Sequence, residues 1–268
     1  MSDMYGANWT SVGNHGSGVS QFDAPQRVAF DSLGRIYVAD TGNNRIVRMN
    51  DISGTGWVTF GTYGTGVAEF AYPNAIAVDA QFRIYVLDYN NNRVIRVEDM
   101  TGNGWAALGA WDCGGQCFGV PESLALDIQG RIFVGEGSQV IRFDGITGPG
   151  RTVLESYDGN DPDTLTSPAG LAIDSLGRIY VAAETKLVRF DDITGSGRVT
   201  FRADGSGQGG FLLLMGVAVD SNGQIYMVES SHERVSRIAD MSGNHWIALG
   251  SYGNGALQFT GPHGIAVH

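Results

Sequence analysis

Short apolar runs recur along the chain. Four are opened by Pro and closed by Asp: Pro25–Asp31, Pro73–Asp79, Pro121–Asp127 and Pro168–Asp174. Leu214–Asp220 carries Leu in place of Pro, and Pro262–His268 carries His in place of Asp. The closing positions lie 48, 48, 47, 46 and 48 residues apart. The runs do not alternate, which suits a strand buried on both faces. Asp31-Ser32-Leu33-Gly34 then reads as a turn, Asp opening it and Gly supplying its permissive end. A second strand follows at Arg35–Asp40, with counterparts at Ile84–Val86, Ile132–Val134, Ile179–Val181 and Ile225–Met227. The third, Arg45–Arg48, alternates charged and apolar as a half-exposed strand should, and its counterparts end at Arg96, Arg142, Arg189 and Arg237. A glycine turn at 51–56 leads to a fourth strand from Trp57. Trp9, Trp57, Trp105 and Trp246 share that register, with Arg151 and Arg198 replacing Trp in copies three and four. No helical period competes.

Four strands in roughly 40–50 residues is the period of a β-propeller blade. A blade cannot bury both faces alone, so the copies must stack round an axis. Phe22-Asp23-Ala24-Pro25, Gly34–Asp40 and Thr41–Ile46 carry a motif, Phe-x-x-Pro, Gly-Arg-Ile-Tyr-Val-Ala-Asp and Thr-Gly-Asn-Asn-Arg-Ile, that resembles the NHL-repeat family of propellers. The resemblance spans almost the whole chain and implies a fold rather than an activity. The expected architecture is all-β: a six-bladed NHL-type β-propeller of four-stranded blades forming a single domain over 1–268. Its repeats fall at 14–60, 61–108, 109–154, 155–201 and 202–249, with a partial copy at 250–268 closing against 1–13.

Asp3–Trp9 aligns with Asp99–Trp105, so the chain opens just before a fourth strand, and it ends on a first strand. The sixth blade is therefore expected to be incomplete: strand 4 from the N-terminus, strand 1 from the C-terminus, strands 2 and 3 absent. The gap is roughly 10 Å, two strands wide, and its unpaired edges invite self-association. Three explanations stand open: a truncated or engineered fragment of a longer repeat protein, a gap filled by a second chain, or an open monomer.

Composition narrows the partners. The net charge is −11, and Lys186 is the only lysine. Nucleic-acid affinity rests on Lys and Arg against phosphates, so no nucleic-acid role is expected, and the acidity repels anionic membranes. The longest apolar run, Phe211–Met215, is far short of the ~20 residues of a membrane span. Met1-Ser2-Asp3-Met4 has no basic start and no apolar stretch, so no secretory leader is expected; the compartment stays open. Cys113 and Cys117 are too few for a disulfide framework and lack the second cluster of a zinc site. Asp158–Asp163 resembles a calcium loop but lacks its twelfth-position Glu, position 169 being Ala.

The loops alternate between two faces. Those joining strands four to one and two to three share the top and vary; the bottom turns are uniform. Variation on a rigid scaffold is where function tends to sit. The position after the strand-one proline rings the top mouth of the channel with Gln26, Asn74, Glu122, Ala169, Met215 and His263. The choices there are a ligand or metal site and a plain hydrated mouth. Asp40, Asp88, Glu136 and Glu229 end second strands, and Arg45, Arg93 and Arg234 stand five residues after three of them, a spacing for bracing ion pairs. Shorter top loops in copies three and four leave a notch beside Trp111 and Asp158.

The binding residues expected are thus Gln26, Asn74, Glu122, His263, Trp111 and Asp158, with no cofactor or metal assigned. The function expected is a non-catalytic binding or scaffold propeller presenting its top face to a protein, peptide or glycan, as the resemblance implies. The alternative is a metal-dependent lyase or lactonase-like hydrolase with a metal at the mouth, for which Glu122, Asn74 and His263 are the available ligands.

Overall fold

A computed structural model describes residues 9–109, 118–148, 150–155, 164–202 and 210–268. Five four-stranded antiparallel sheets follow one another along the chain, each in simple sequential order. The first comprises Arg27–Phe30, Ile36–Asp40, Arg45–Met49 and Val58–Phe60. The inner strands of the other four are Pro73–Val78, Pro121–Leu126, Pro168–Ile173 and Leu214–Val219. These inner strands pack side by side around an axis, and apolar clusters such as the one holding Tyr37, Phe70, Ile84 and Ile95 fill the space between neighbouring sheets. This is a propeller of four-stranded blades. Among the described residues, no helix is long and apolar enough to cross a membrane.

The bottom turns explain why the period is so regular. The Asp31 carboxylate accepts from the amides of Leu33 and Arg35, from Arg35 Nε at 2.5 Å and from the Tyr37 hydroxyl at 3.0 Å. Asp79 and Asp174 repeat the arrangement with Arg83 and Tyr85, and with Arg178 and Tyr180. One carboxylate thus satisfies the turn and fixes the hairpin register. The turn's fourth residue needs a positive φ: Gly34 sits at 78°, and Phe82 replaces it at 64° in the second blade. Phe82 recovers part of that backbone strain by lying under the Arg35 guanidinium, 5.1 Å from its ring centroid.

The expected sixth blade does not form as a sheet. Residues 262–268 carry no strand, and among the described residues no backbone–backbone hydrogen bond involves them. In every complete blade the first strand bonds to the second; this segment has no such neighbour, so no ladder defines it. It still lies against the axis. A Cβ at Gly216 would fall 2.9 Å from His263 O, and one at Gly264 would fall 2.6 Å from Gln26 O. Residues 263–264 are therefore wedged between the inner strands of the fifth and first blades. Ile265, Ala266 and Val267 line the axial channel, about 250 Å³, together with all five inner strands.

The two ends of the described chain meet through aromatic rings. Trp57 packs on Phe22, Trp105 on Phe70 and Trp246 on Phe211, with centroids 5.0, 5.7 and 5.3 Å apart. Trp9 meets Phe259 in the same pairing at 5.6 Å. Trp9→Ala is accordingly expected to lower the melting temperature as much as Trp57→Ala, each costing less than the ~3–5 kcal/mol of a fully buried aromatic truncation because both rings are half-buried. An unchanged Trp9→Ala melt would show that the ends do not hold the ring.

Burial, followed by hydrogen bonding to Asp31, pushes the Tyr37 hydroxyl up to about 12; burial, followed by the Asp174 charge, does the same at Tyr180. Groups raised on folding contribute stability that is complete below the ordinary tyrosine value of 10 and is lost as pH rises through about 12. Thermal melts over that range should fall steadily, and less steeply in Tyr37→Phe.

Candidate functional site

The inner strands carry a β-bulge at their top ends. In the second blade Leu87 pairs with Ala75 and Asp88 with Pro73, leaving Asn74 as the extra residue. Glu122, Ala169 and Met215 are the extra residues of the next three blades. A bulge re-aims the chain where it occurs, here toward the mouth. Gln26, Asn74, Glu122, Ala169 and Met215 line one cavity of about 350 Å³, with Arg27, Ser167, Tyr89, Glu184 and Leu213 among its other walls. His263 is tied to this ring through its carbonyl, which accepts from Arg27. Trp111 and Asp158 lie outside the described residues, as do Cys113, Cys117, Asp161 and Asp163.

The residue that dominates the mouth is Arg27, which the sequence reading passed over. Its Nη1 donates to His263 O at 2.7 Å and Gln26 O at 3.3 Å; its Nη2 donates to Ala169 O at 2.5 Å and Met215 O at 2.7 Å. All four acceptors belong to the mouth ring. Among the described residues Arg27 makes no ion pair. Burial pulls its guanidinium down to about 10, which leaves it cationic at neutral pH. A signal was present in the sequence: the equivalent positions are Ala75, Ser123, Gly170, Gly216 and Gly264, so a single long side chain has the axis to itself.

Other mouth groups are only partly engaged. Glu122 accepts from Ser167 Oγ at 2.5 Å, and Glu184 from Thr166 Oγ1 at 3.3 Å. Asn74 Oδ1 and His263 Nδ1 are buried with no hydrogen-bond partner among the described residues. Burial, then the Arg27 charge, hold the His263 imidazole below its ordinary value, so it is neutral at pH 7. A divalent metal fits this donor set poorly, because Arg27, bound at the His263 carbonyl, sets a fixed positive charge close to the imidazole. Among the described residues, no three His, Cys, Asp or Glu side chains converge.

Around the mouth, charged pairs brace the top loops. Asp40 accepts from Arg45 Nε at 2.7 Å, from Asn43 Nδ2 at 2.9 Å and from the Asp23 amide at 2.7 Å. Asp88, Arg93 and Asn91 repeat this in the second blade, where Arg93 also reaches the carbonyls of Thr65, Gly66 and Glu69. In the fifth blade Arg234 and His232 reach Glu229. Where Arg is missing, Gln139 donates to Glu136, and Lys186 donates to Thr164 O at 2.5 Å. Large apolar side chains stand exposed beyond these braces: Tyr63 and Tyr252 at 73%, with Tyr72, Val120, Leu212 and Leu213.

Comparison with known proteins agrees with this geometry. Residues 22–49 match the NHL repeat, and residues 159–186 match a beta-propeller repeat. It is a β-propeller whose first blade carries an NHL repeat. No curated protein matches in sequence. Solved structures that resemble it include a streptogramin B lyase (TM-score 0.62, 15% identity, covering 90% of this chain and 72% of the other). A chain of the nidogen/laminin complex also resembles it (TM-score 0.69, 15% identity, 92% and 86% covered). So does virginiamycin B lyase from Staphylococcus aureus (TM-score 0.60, 14% identity, 91% and 74% covered). At such identities the likeness is one of fold, and it spans proteins that bind and proteins that catalyse.

The bracing pairs and the mouth carboxylates should respond differently to mutation. Asp40→Ala removes the carboxylate from the half-buried Arg45 guanidinium, which keeps the Ser17 and Gln21 carbonyls, and strands the Asp23 amide; it is expected to cost about 3 kcal/mol in chemical denaturation, the lower end of the range for a broken buried pair. Glu122→Gln, at the cavity wall, should stay within about 0.5 kcal/mol of wild type.

Proposed function

We propose that this propeller is a binding module that takes a basic polypeptide segment across its top face, over the mouth. The observation that supports this reading most strongly is the division of charge on that face. The cations Arg45, Arg93, Arg234 and Lys186 are committed to internal partners, and Arg27 at the floor of the mouth is committed to four main-chain carbonyls. Among the described residues, the carboxylates of Glu122 and Glu184 are held only by hydroxyls beside an open cavity. Leu213 lines the same cavity, and exposed Tyr63, Tyr72, Leu212 and Tyr252 stand on loops that follow fourth strands, so the top face offers the mixture of aromatic anchors and polar groups that characterises recognition surfaces. A net charge of −11 speeds encounter with a cationic partner. The nidogen/laminin complex gives a structural precedent for a propeller of this shape among protein–protein assemblies.

On the same reading, residues 1–268 act as one domain, and the segments at 9–13 and 262–268 are the outer and inner edges of an incomplete sixth blade. That sector offers an edge for self-association.

A fluorescein-labelled peptide of alternating Arg, Lys and Gly with one central Tyr tests the proposal against its Glu-substituted counterpart. The basic peptide should bind and weaken as salt is raised. The double variant Glu122→Gln, Glu184→Gln should lose about tenfold, or ~1.4 kcal/mol. Equal binding of the two peptides, or no binding of either, would overturn the proposal.

A further inference from the structure

Arg27 occupies an unusual place for a buried cation. Its neighbours are main-chain carbonyls, not carboxylates. Four of them converge on the axis from four segments of the ring: Gln26, Ala169, Met215 and His263. Two features of the chain bring them there. The bulges at Ala169 and Met215 interrupt the ladder at these positions. Glycines then let the segments close up: a Cβ at Gly170 would lie 2.8 Å from Gly216 Cα, and one at Gly264 would lie 2.8 Å from Arg27 Cα. Both features belong to the scaffold and not to the Arg27 side chain, so the carbonyl ring is a site in its own right.

We propose that the throat of the propeller is a guanidinium-binding seat built from main-chain carbonyls, with Arg27 as its tethered occupant. The match is one of shape as well as charge. A planar guanidinium offers paired N–H groups in a fixed fork, and the Nη1 and Nη2 groups each serve two carbonyls here. An ammonium has three donors on one atom and cannot span the four. Because one acceptor is His263 O, filling the seat ties the C-terminal segment into the ring. It also places a cation between the mouth cavity and the channel beneath, both of which Arg27 lines, so the mouth is a cup with a charged floor.

The test is chemical rescue. Arg27→Ala removes the occupant and leaves the carbonyls. It should melt well below wild type, and low millimolar guanidinium chloride should restore most of the lost melting temperature by binding the folded state. Native mass spectrometry should then show one guanidinium per chain. Sodium chloride and urea, the latter planar but neutral, should restore nothing, and wild type should not respond. Arg27→Lys keeps the stem and a charge; it should melt between the two and ignore guanidinium. If Arg27→Ala does not fold, its refolding yield with and without guanidinium gives the same reading. The absence of rescue, equal rescue by urea or by sodium chloride, or a Lys variant that melts like wild type would overturn the proposal.

Discussion

The close approach of backbones at the axis governs the upper half of this molecule. Gly170, Gly216 and Gly264 stand where any Cβ would strike the neighbouring main chain at under 3.0 Å. That contact aligns the mouth carbonyls, and the carbonyls hold Arg27. A side chain at Gly216 would push His263 away, and with it the acceptor that connects the C-terminal segment to the first blade. The outer Trp–Phe contacts and the inter-blade apolar clusters supply apolar packing. Area alone is non-directional; the glycines and the guanidinium decide how the inner strands are phased.

The two faces divide their work. On the bottom, Asp31, Asp79, Asp127 and Asp174 each close a turn around an arginine with nearly identical geometry. On the top, the same pairing logic locks Asp40 to Arg45 and Asp88 to Arg93, but the loops above carry differing apolar and acidic side chains. Burial pushes the Asp88 carboxyl up, and hydrogen bonds from Asn91, Ala71 and Arg93 pull it back only in part. The Asp88 brace therefore serves geometry more than net stability, as is common for ion pairs taken out of water.

Much of this was legible in the chain because the determinants are local and repeated. The Asp-x-x-Gly turns, the alternation of Arg45–Arg48 and the Trp register each specify structure within one copy, and the copies agree. The position after the strand-one proline was legible for the same reason, and it falls at the mouth. What one copy could not reveal is what happens between copies. The missing ladder at 262–268 is a property of two strands, not of one. Within its own copy Arg27 is an ordinary strand residue; what distinguishes it is that its counterparts at 75, 123, 170, 216 and 264 are all small. The binding roles expected of Gln26, Asn74, Glu122 and His263 depend on a partner, and Trp111 and Asp158 lie beyond the described residues.

The seated arginine also gives the ring an orientation. Near-identical units arranged in a circle have no intrinsic first member; rotated by one unit, the scaffold would look almost the same to a visitor. One charge at the centre, anchored from the first blade and turned toward the carbonyls of the fourth, fifth and C-terminal segments, removes that degeneracy. Loop substitutions can then accumulate independently around the rim, because each loop has a fixed bearing relative to an internal reference. Copying the arginine into a second unit would crowd two cations into one throat, so the marker is confined to a single copy however often the surrounding repeat is duplicated.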